Sequence, residues 1–483
     1  MYSHTLTNQV ADMIRIIILS VLALSFAPTV QAATTRFCLE GEFDLGARYQ
    51  GTHSRAGEFY PTTWCVVTED GTERVLFSAT GQSNPDLDGS WTVAYFPPDR
   101  VRIVNRDNPP DIEFHDTDNA AEARSVRRLD PHRLASEYLE HRERFSDMKI
   151  AMDVGTLRRV ETTADLPLRG RVPVVWQWDW TDLEAPEAKL LIDGALMFRA
   201  TGRWEVLSDA ESEAIFAPTP GADPVQVPGE NWPARVAMEL VNLSDGVHLV
   251  RGVRTGFRHM VVETSEGLVV GDAPAGWVEL HQIPPADLVP RLGISGLSER
   301  LIDFLKSEFE GRTIAGVALT HFHDDHAGGA RAFASEGTKV YAPAASESFL
   351  ETALNRPEMP ADRLAALVSS IDVIPVADDK TIGTGESRAR LVSLGANPHV
   401  DAMLGLWAVD GDYFFVSDIH VPHSEAESPD VARAQTECWF AREAVARLPD
   451  TVRIVNSHSG TATPVSRLRA YLESDVCQQP GQP

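Results

Sequence analysis

Thr320-His321-Phe322-His323-Asp324-Asp325-His326-Ala327-Gly328-Gly329 is the stretch on which the reading of this chain turns. Three histidines and Asp325 fall within six residues, directly after Ile314-Ala315-Gly316-Val317-Ala318-Leu319. That apolar run reads as a buried strand, and the small residues after the cluster can open a helix. Neutral imidazoles and carboxylates are the ligands a borderline-soft divalent cation takes, with zinc the first choice. Open α/β sheets also place their ligands at the carboxyl ends of strands. Asp325 could simply cap the helix, but a loop seldom spends three histidines on capping.

Working outward, further candidates sit at the ends of other expected strands. Asp272 follows Leu268-Val269-Val270-Gly271, and His399 follows the strand expected at Arg388–Leu394 through Gly395-Ala396-Asn397-Pro398. Asp418 ends Tyr413-Phe414-Phe415-Val416-Ser417, and His458 ends Arg453-Ile454-Val455-Asn456-Ser457. Taken singly, each reads as a hydrogen-bonded loop residue or a cap. Their order carries more than any one of them.

The pattern His-x-His-x-Asp-His, with the leading Thr320 and the trailing Gly328-Gly329, resembles the metallo-β-lactamase superfamily. An aspartate, the cluster, then His, Asp and His repeats that family's ligand order, over about residues 236–477. The resemblance implies an α/β fold, an αββα sandwich with the site at one edge. It implies that His321, His323 and His399 hold one zinc, that Asp325, His326 and His458 hold a second, and that Asp418 bridges them. Asp272 would hold the metal loop by hydrogen bonding, and Gly328 and Gly329 would let the helix start pass close to it.

Two metals about 3.5–4 Å apart can share a water and lower its pKa towards about 7. The expected enzyme is therefore a zinc-dependent hydrolase, a metal-bound hydroxide attacking an ester, lactone, thioester or lactam carbonyl. Asp325 or Asp418 would move the proton. His420 and His423, close behind Asp418, are candidates for the substrate pocket. Two zinc ions per chain are expected, with iron as the other metal. One alternative is a mononuclear-iron enzyme of the persulfide dioxygenase type, which shares the histidine cluster. Another is a non-catalytic exported binding protein. Diiron flavoprotein reductases fit less well, since they carry a carboxylate where this chain has His323.

Composition bounds the partners. The chain has 483 residues, is 43% hydrophobic and 23% charged, and carries a formal charge of −27. These are globular proportions for two or three domains. The acidic balance opposes nucleic acid, whose phosphates must first be neutralised, and anionic lipid alike. A small-molecule substrate is expected; oligomeric state is open.

Residues 1–32 read as a signal peptide. Arg15 precedes the apolar Ile16–Leu24, and Val30-Gln31-Ala32 offers a cut before Ala33. The apolar run is too short for a comfortable membrane span, so no stable anchor is expected after cleavage. The protein is then periplasmic or secreted. In an oxidising compartment four cysteines suggest two bridges, most simply Cys38–Cys65 and Cys438–Cys477, although sequence leaves the connectivity open.

Residues 33–216 form a mainly β domain, with hairpins expected around Glu69-Asp70-Gly71 and Asp193-Gly194 and a helix from Pro131 to about Phe145 capped by Asp130. Val175-Trp176-Gln177-Trp178-Asp179-Trp180 sets three tryptophans on one side of a strand. Packing against a neighbouring element is the favoured reading, and a stacking platform for flat ligands the other. A proline-rich linker at 217–233 separates this domain from the catalytic one at 234–477, and 478–483 is a tail.

Overall fold

The computed structural model describes residues 34–44, 60–69, 74–81, 91–97, 100–104, 112–115, 123–124, 126–153, 155–166, 168–218, 225–226, 238–253, 257–275, 296–356, 370–420, 434–458 and 462–478. The expected signal peptide, most of the linker, the end of the tail and His423 lie outside these residues.

The first domain is built on β1 (Thr34–Phe43), β2 (Tyr60–Glu69), β3 (Val75–Gly81), β4 (Trp91–Phe96), β5 (Arg100–Val104) and β6 (Ile112–His115). The helix α1 (Pro131–Glu140) follows. Then come β7 (Lys149–Asp153), β8 (Thr156–Leu166), β9 (Gly170–Asp179), β10 (Glu187–Ile192), β11 (Ala195–Leu207), α2 (Asp209–Phe216) and β12 (Val225–Gln226). The strands make one sheet in the order β12-β6-β5-β4-β3-β2-β1-β11-β10-β9-β8-β7, closed in its middle by the antiparallel β1–β11 pair. Every ladder is antiparallel except β12 on β6.

The expected helix is shorter than the sequence suggested. Asp130 caps it by accepting from the His132 N–H, but α1 ends at Glu140 because His141 leaves helical geometry at φ −137°. Residues Arg142–Phe145 then form a separate 3₁₀ turn. Leu134 and Phe145 nonetheless reach the same core, and the tryptophans meet them there. Trp176, Trp178 and Trp180 are only 3%, 7% and 6% exposed. They pack with Phe37, Trp64, Leu134 and Phe198 in one cluster, which is the packing role rather than the open platform. Cys38 and Cys65 face each other across β1 and β2 and are bonded.

The second domain opens with β13 (Glu239–Ser244), β14 (Val247–Arg251), β15 (Arg258–Thr264) and β16 (Gly267–Gly271). The helix α3 (Gly296–Glu308) leads into β17 (Ile314–Ala318), then the short helices α4 (Asp324–Ala327) and α5 (Ala330–Ser335). Next come β18 (Lys339–Pro343), α6 (Glu347–Leu354) and β19 (Val373–Val376), completing a seven-stranded sheet β13 through β19 in order. A six-stranded sheet follows from β20 (Lys380–Thr384), β21 (Ser387–Gly395), β22 (Met403–Ala408), β23 (Tyr413–Phe415), β24 (Arg453–Val455) and β25 (Thr463–Pro464). Between β23 and β24 runs α7 (Ala434–Arg447); α8 (Val465–Glu473) and α9 (Asp475–Gln478) end the domain.

Alternation along the strands sorts the apolar residues to two sides. Leu249, Met260, Val262, Val269 and Ala318 of one sheet meet Leu391, Leu404, Leu406 and Phe415 of the other in an inter-sheet core. Val250, Val261 and Val270 face outward to Leu297, Leu301 and Leu305 of α3, whose four-residue spacing puts them on one stripe. On the far side Ala434, Phe440 and Ala441 of α7 cover the second sheet, with Cys438 bonded to Cys477 of α9. Helix, sheet, sheet, helix is the expected layering. Among the described residues no helix is long and apolar enough to cross a membrane.

Candidate metal centre

The carboxyl ends of β16, β17, β21, β23 and β24 come to one edge of the sandwich, and each delivers part of one cluster. β17 runs into Thr320–His323, and α4 begins at Asp324. Four side chains, His321, His323, His399 and Asp418, offer ligand atoms that all lie within 4.8 Å of one another. Asp325, His326, Asp418 and His458 do the same, so Asp418 is common to both groups.

Its two oxygens serve different sides. Asp418 Oδ2 lies 3.3 Å from His399 Nε2 and 3.7 Å from His321 Nε2. Asp418 Oδ1 lies 2.7 Å from His458 Nε2 and 3.1 Å from His326 Nε2. His321 and His399 bring their Nε2 atoms to 3.3 Å, and Asp325 Oδ2 is 3.3 Å from His326 Nε2. All seven residues singled out from the sequence as ligands are therefore brought together.

Buried hydrogen bonds fix these rings. Asp272 is fully buried, and its Oδ1 accepts the Thr320 N–H at 2.7 Å while Oδ2 lies 2.9 Å from His326 Nδ1. An acceptor at Nδ1 keeps the proton there and turns the bare Nε2 lone pair towards the cluster. The backbone N–H of His458 donates to Asn456 Oδ1 at 2.8 Å, and that of His399 to Asn397 Oδ1 at 2.9 Å, which sets the chain from which each ring projects. Gly329 passes so close to its surroundings that a Cβ would stand 2.3 Å from Pro274 O and 2.1 Å from Ser298 Oγ. Only glycine permits that approach.

Strain collects at the same place. Asp272 at φ 67° and Ser417 at φ 56° are left-handed non-glycine residues, and both touch His326. Such conformations cost about 1–3 kcal/mol each and persist where the surroundings over-determine them.

The electrostatics are those of a cation site. Burial drives His321 well below its ordinary range, with the His326 charge adding to it. Burial also disfavours charge on His326, but Asp325, Asp418 and Asp272 outweigh it and hold the ring well above its ordinary range. Asp418 is pushed up by burial, yet His326 and His458 prevail and hold it well below the usual carboxylate range. His326 Nε2 is fully buried and makes no hydrogen bond, although two carboxylate oxygens stand within 3.3 Å. Five imidazoles and two carboxylates focused on shared points fit divalent zinc or iron.

His420 does not join them. It is fully buried, stacked 5.4 Å from Phe440 and edge-on to Tyr471, because the 3₁₀ turn Ser417–Ile419 carries it to the outer side of the second sheet. It therefore packs in the core instead of lining a pocket. The sequence reading did not single out Phe257, whose ring meets His458 edge-on at 4.7 Å, nor Ser417, whose Oγ lies 3.0 Å from His326 Nδ1. Neither residue type signals a metal site; only the strand register brings them there.

The description "Metallo-beta-lactamase superfamily" matches residues 295–458. No curated protein matches the chain. Among solved structures, a metallo-beta-lactamase from Pontibacter korlensis is 19% identical, covering 50% of this chain and 100% of its own at a TM-score of 0.35. One from Hirschia baltica is 15% identical, covering 48% and 95% at 0.33. FIM-1 from Pseudomonas aeruginosa, in its mono-zinc form, is 16% identical, covering 51% and 96% at 0.33. Residues 295–458, which carry every side chain of the two ligand groups, are thus the part of the chain that matches the metallo-β-lactamase superfamily.

Proposed function

We propose that the protein is an exported two-zinc hydrolase acting on an ester, lactone, thioester or lactam carbonyl of a small molecule. The observation that carries this reading is Asp418, whose single carboxylate is shared by two complete ligand groups. A mononuclear iron site would not require the second group, Asp325, His326 and His458. The two disulfides suit an oxidising compartment, as export requires. The burial of Trp176, Trp178 and Trp180 removes the open aromatic platform on which a binding-protein reading would rest.

In this reading His321, His323 and His399 would hold one ion and Asp325, His326 and His458 a second, with Asp418 common to both groups. Paired divalent cations supply an acidified water and a Lewis acid for a carbonyl oxygen. The chain's own work is to set the geometry and carry protons. Asp272 fixes the His326 tautomer by accepting from Nδ1. Ser417 and Ser457 place hydroxyls 3.1 Å and 3.3 Å from Asp418 Oδ1 and donate to it, steadying that carboxylate. Asp325, more open than Asp418, is the better placed of the two to pass a proton to solvent.

Metal analysis of the purified chain, with a chromogenic panel of ester, lactone, thioester and cephalosporin, tests this. The expected result is about two zinc per chain and turnover of at least one substrate that a chelator abolishes and zinc restores. Chelator-insensitive turnover, or a protein that takes up no metal, would overturn it.

A further inference from the structure

Arg251, which ends β14, and Arg258, which begins β15, stand directly opposite each other in the ladder. Like charges at opposed positions repel. Strand alternation puts both on the side of Leu249 and Met260, the inter-sheet face, at its metal-site end. The Arg258 backbone N–H donates to Ser457 O at 2.9 Å, next to His458. The neighbouring Phe257 ring is the one that meets His458.

One nitrogen of each guanidinium is buried without a partner. Arg251 Nε and Arg258 Nη1 are shielded from water and make no hydrogen bond. Among the described residues neither arginine closes an ion pair. Burial, with the Arg251 charge beside it, pushes Arg258 down to about 10, and among the described residues no carboxylate counters the shift. The chain has 70 acidic residues against 43 basic ones, so carboxylates are not scarce. Elsewhere Arg74 takes both oxygens of Glu69. Both arginines of the pair are only partly buried, which leaves a ligand access. Unmet buried cationic donors cost free energy that a bound anion recovers.

We propose that Arg251 and Arg258 form a carboxylate-binding subsite beside the metal centre, so that the substrate is an acyl compound bearing a carboxylate away from its reacting carbonyl. Planar guanidinium groups on two directly opposed residues offer the kind of paired donors that the oxygens of a carboxylate take. The substrate half of this proposal rests on the hydrolase reading above; the anion site itself does not.

The test uses benzoate and its neutral isostere benzamide on the full chain, with metal bound and after chelation. Thermal unfolding and equilibrium dialysis should both report benzoate, not benzamide, and should do so without metal. Arg258→Met should weaken benzoate at least tenfold, and Arg258→Lys, which keeps charge and length but not the fork, should fall between. If Arg258→Met does not fold, the lysine variant alone decides. Where the enzyme turns over esters, Arg258→Met should also lower its preference for an anionic over a neutral ester about tenfold, through KM. Benzoate binding that vanishes with the metal, or that is unchanged in the arginine variants, overturns the subsite. Ester inactivity with benzoate binding intact overturns only the hydrolase reading.

Discussion

The two domains each bury one dense cluster of side chains capable of chemistry, and the clusters are satisfied in opposite ways. In the first domain the tryptophans consume one another. Trp176 and Trp178 stack at 5.8 Å, Trp64 stacks on Phe198 at 4.3 Å, and the Trp204 N–H finds Asp130. Apolar faces meet apolar faces, and what polarity goes unmet there is neutral, as at the Trp176 indole N–H. In the second domain five histidines and two aspartates crowd together with carboxylate oxygens turned on a buried nitrogen that makes no hydrogen bond. Packing completes the first cluster, whereas the second is one that a cation could complete. Burial alone does not mark a site; unmet ionisable groups crowded together under burial do.

The sharpest way to break that contrast is a truncation in each cluster. His323→Ala removes a ligand from the group that contains His321 and His399, so the purified protein should lose about one metal per chain. Turnover should fall on the order of 10³-fold, beyond the 10–100-fold typical of supporting residues. Metal counting beside kinetics checks it, and unchanged stoichiometry would sink the ligand assignment. Trp178→Ala should do the reverse. It removes a ring packed between Trp176, Trp180 and Phe37, costing about 3–5 kcal/mol of stability while metal content stays as it was. Urea unfolding together with metal analysis would show whether the tryptophans are core or a working surface.

A subtler substitution sharpens the comparison from inside the metal cluster. Asp272 is left-handed, a conformation asparagine tolerates, so Asp272→Asn should leave the backbone alone. With the carbonyl still accepting from Thr320 N–H, the amide NH₂ then faces His326 Nδ1. The ring proton must move to Nε2, the atom meant for the metal. Affinity of one ion should drop about 10–100-fold with the fold unchanged. Titration against a chelator of known strength measures this.

How much of this was legible depends on the range over which residues act. The cluster His321–His326 is local and was readable at once. His399, Asp418 and His458 were readable because each closes an apolar strand and their order is informative. His420 was not: two residues beyond a ligand, it is turned away by a 3₁₀ turn that sequence does not announce. The first domain's sheet was equally opaque, since β1 pairs with β11 through contacts such as Thr34 with Leu207, set by no local signal. Helix α1 was overextended because the apolar spacing of Leu134, Tyr138 and Phe145 continues through the break at His141. Arg251 and Arg258 became a pair only through register across the loop between them.

The smallest expected effect concerns His259, a fully buried ring that the proposed chemistry does not use. Its Nδ1–H donates to Gly271 O at 3.0 Å, holding the strand that ends in Asp272, and burial lowers it from the ordinary 6.5 to about 4. Between those values the unfolded chain binds a proton that the folded chain refuses, so unfolding is favoured as pH falls. The stability contribution is complete above about pH 6.5 and is lost progressively towards pH 4. At pH 5.5 the loss is about 1 kcal/mol. His321 shifts the same way and His326 the opposite way, so the wild-type slope alone does not isolate the ring. His259→Gln retains an amide donor for Gly271 O and does not titrate. In chelated protein, urea midpoints from pH 7 to pH 5 should therefore fall less steeply in the variant than in wild type. Equal slopes would mean that His259 already accepts its proton in the folded state, and that the core beneath Asp272 is wetter than its packing shows.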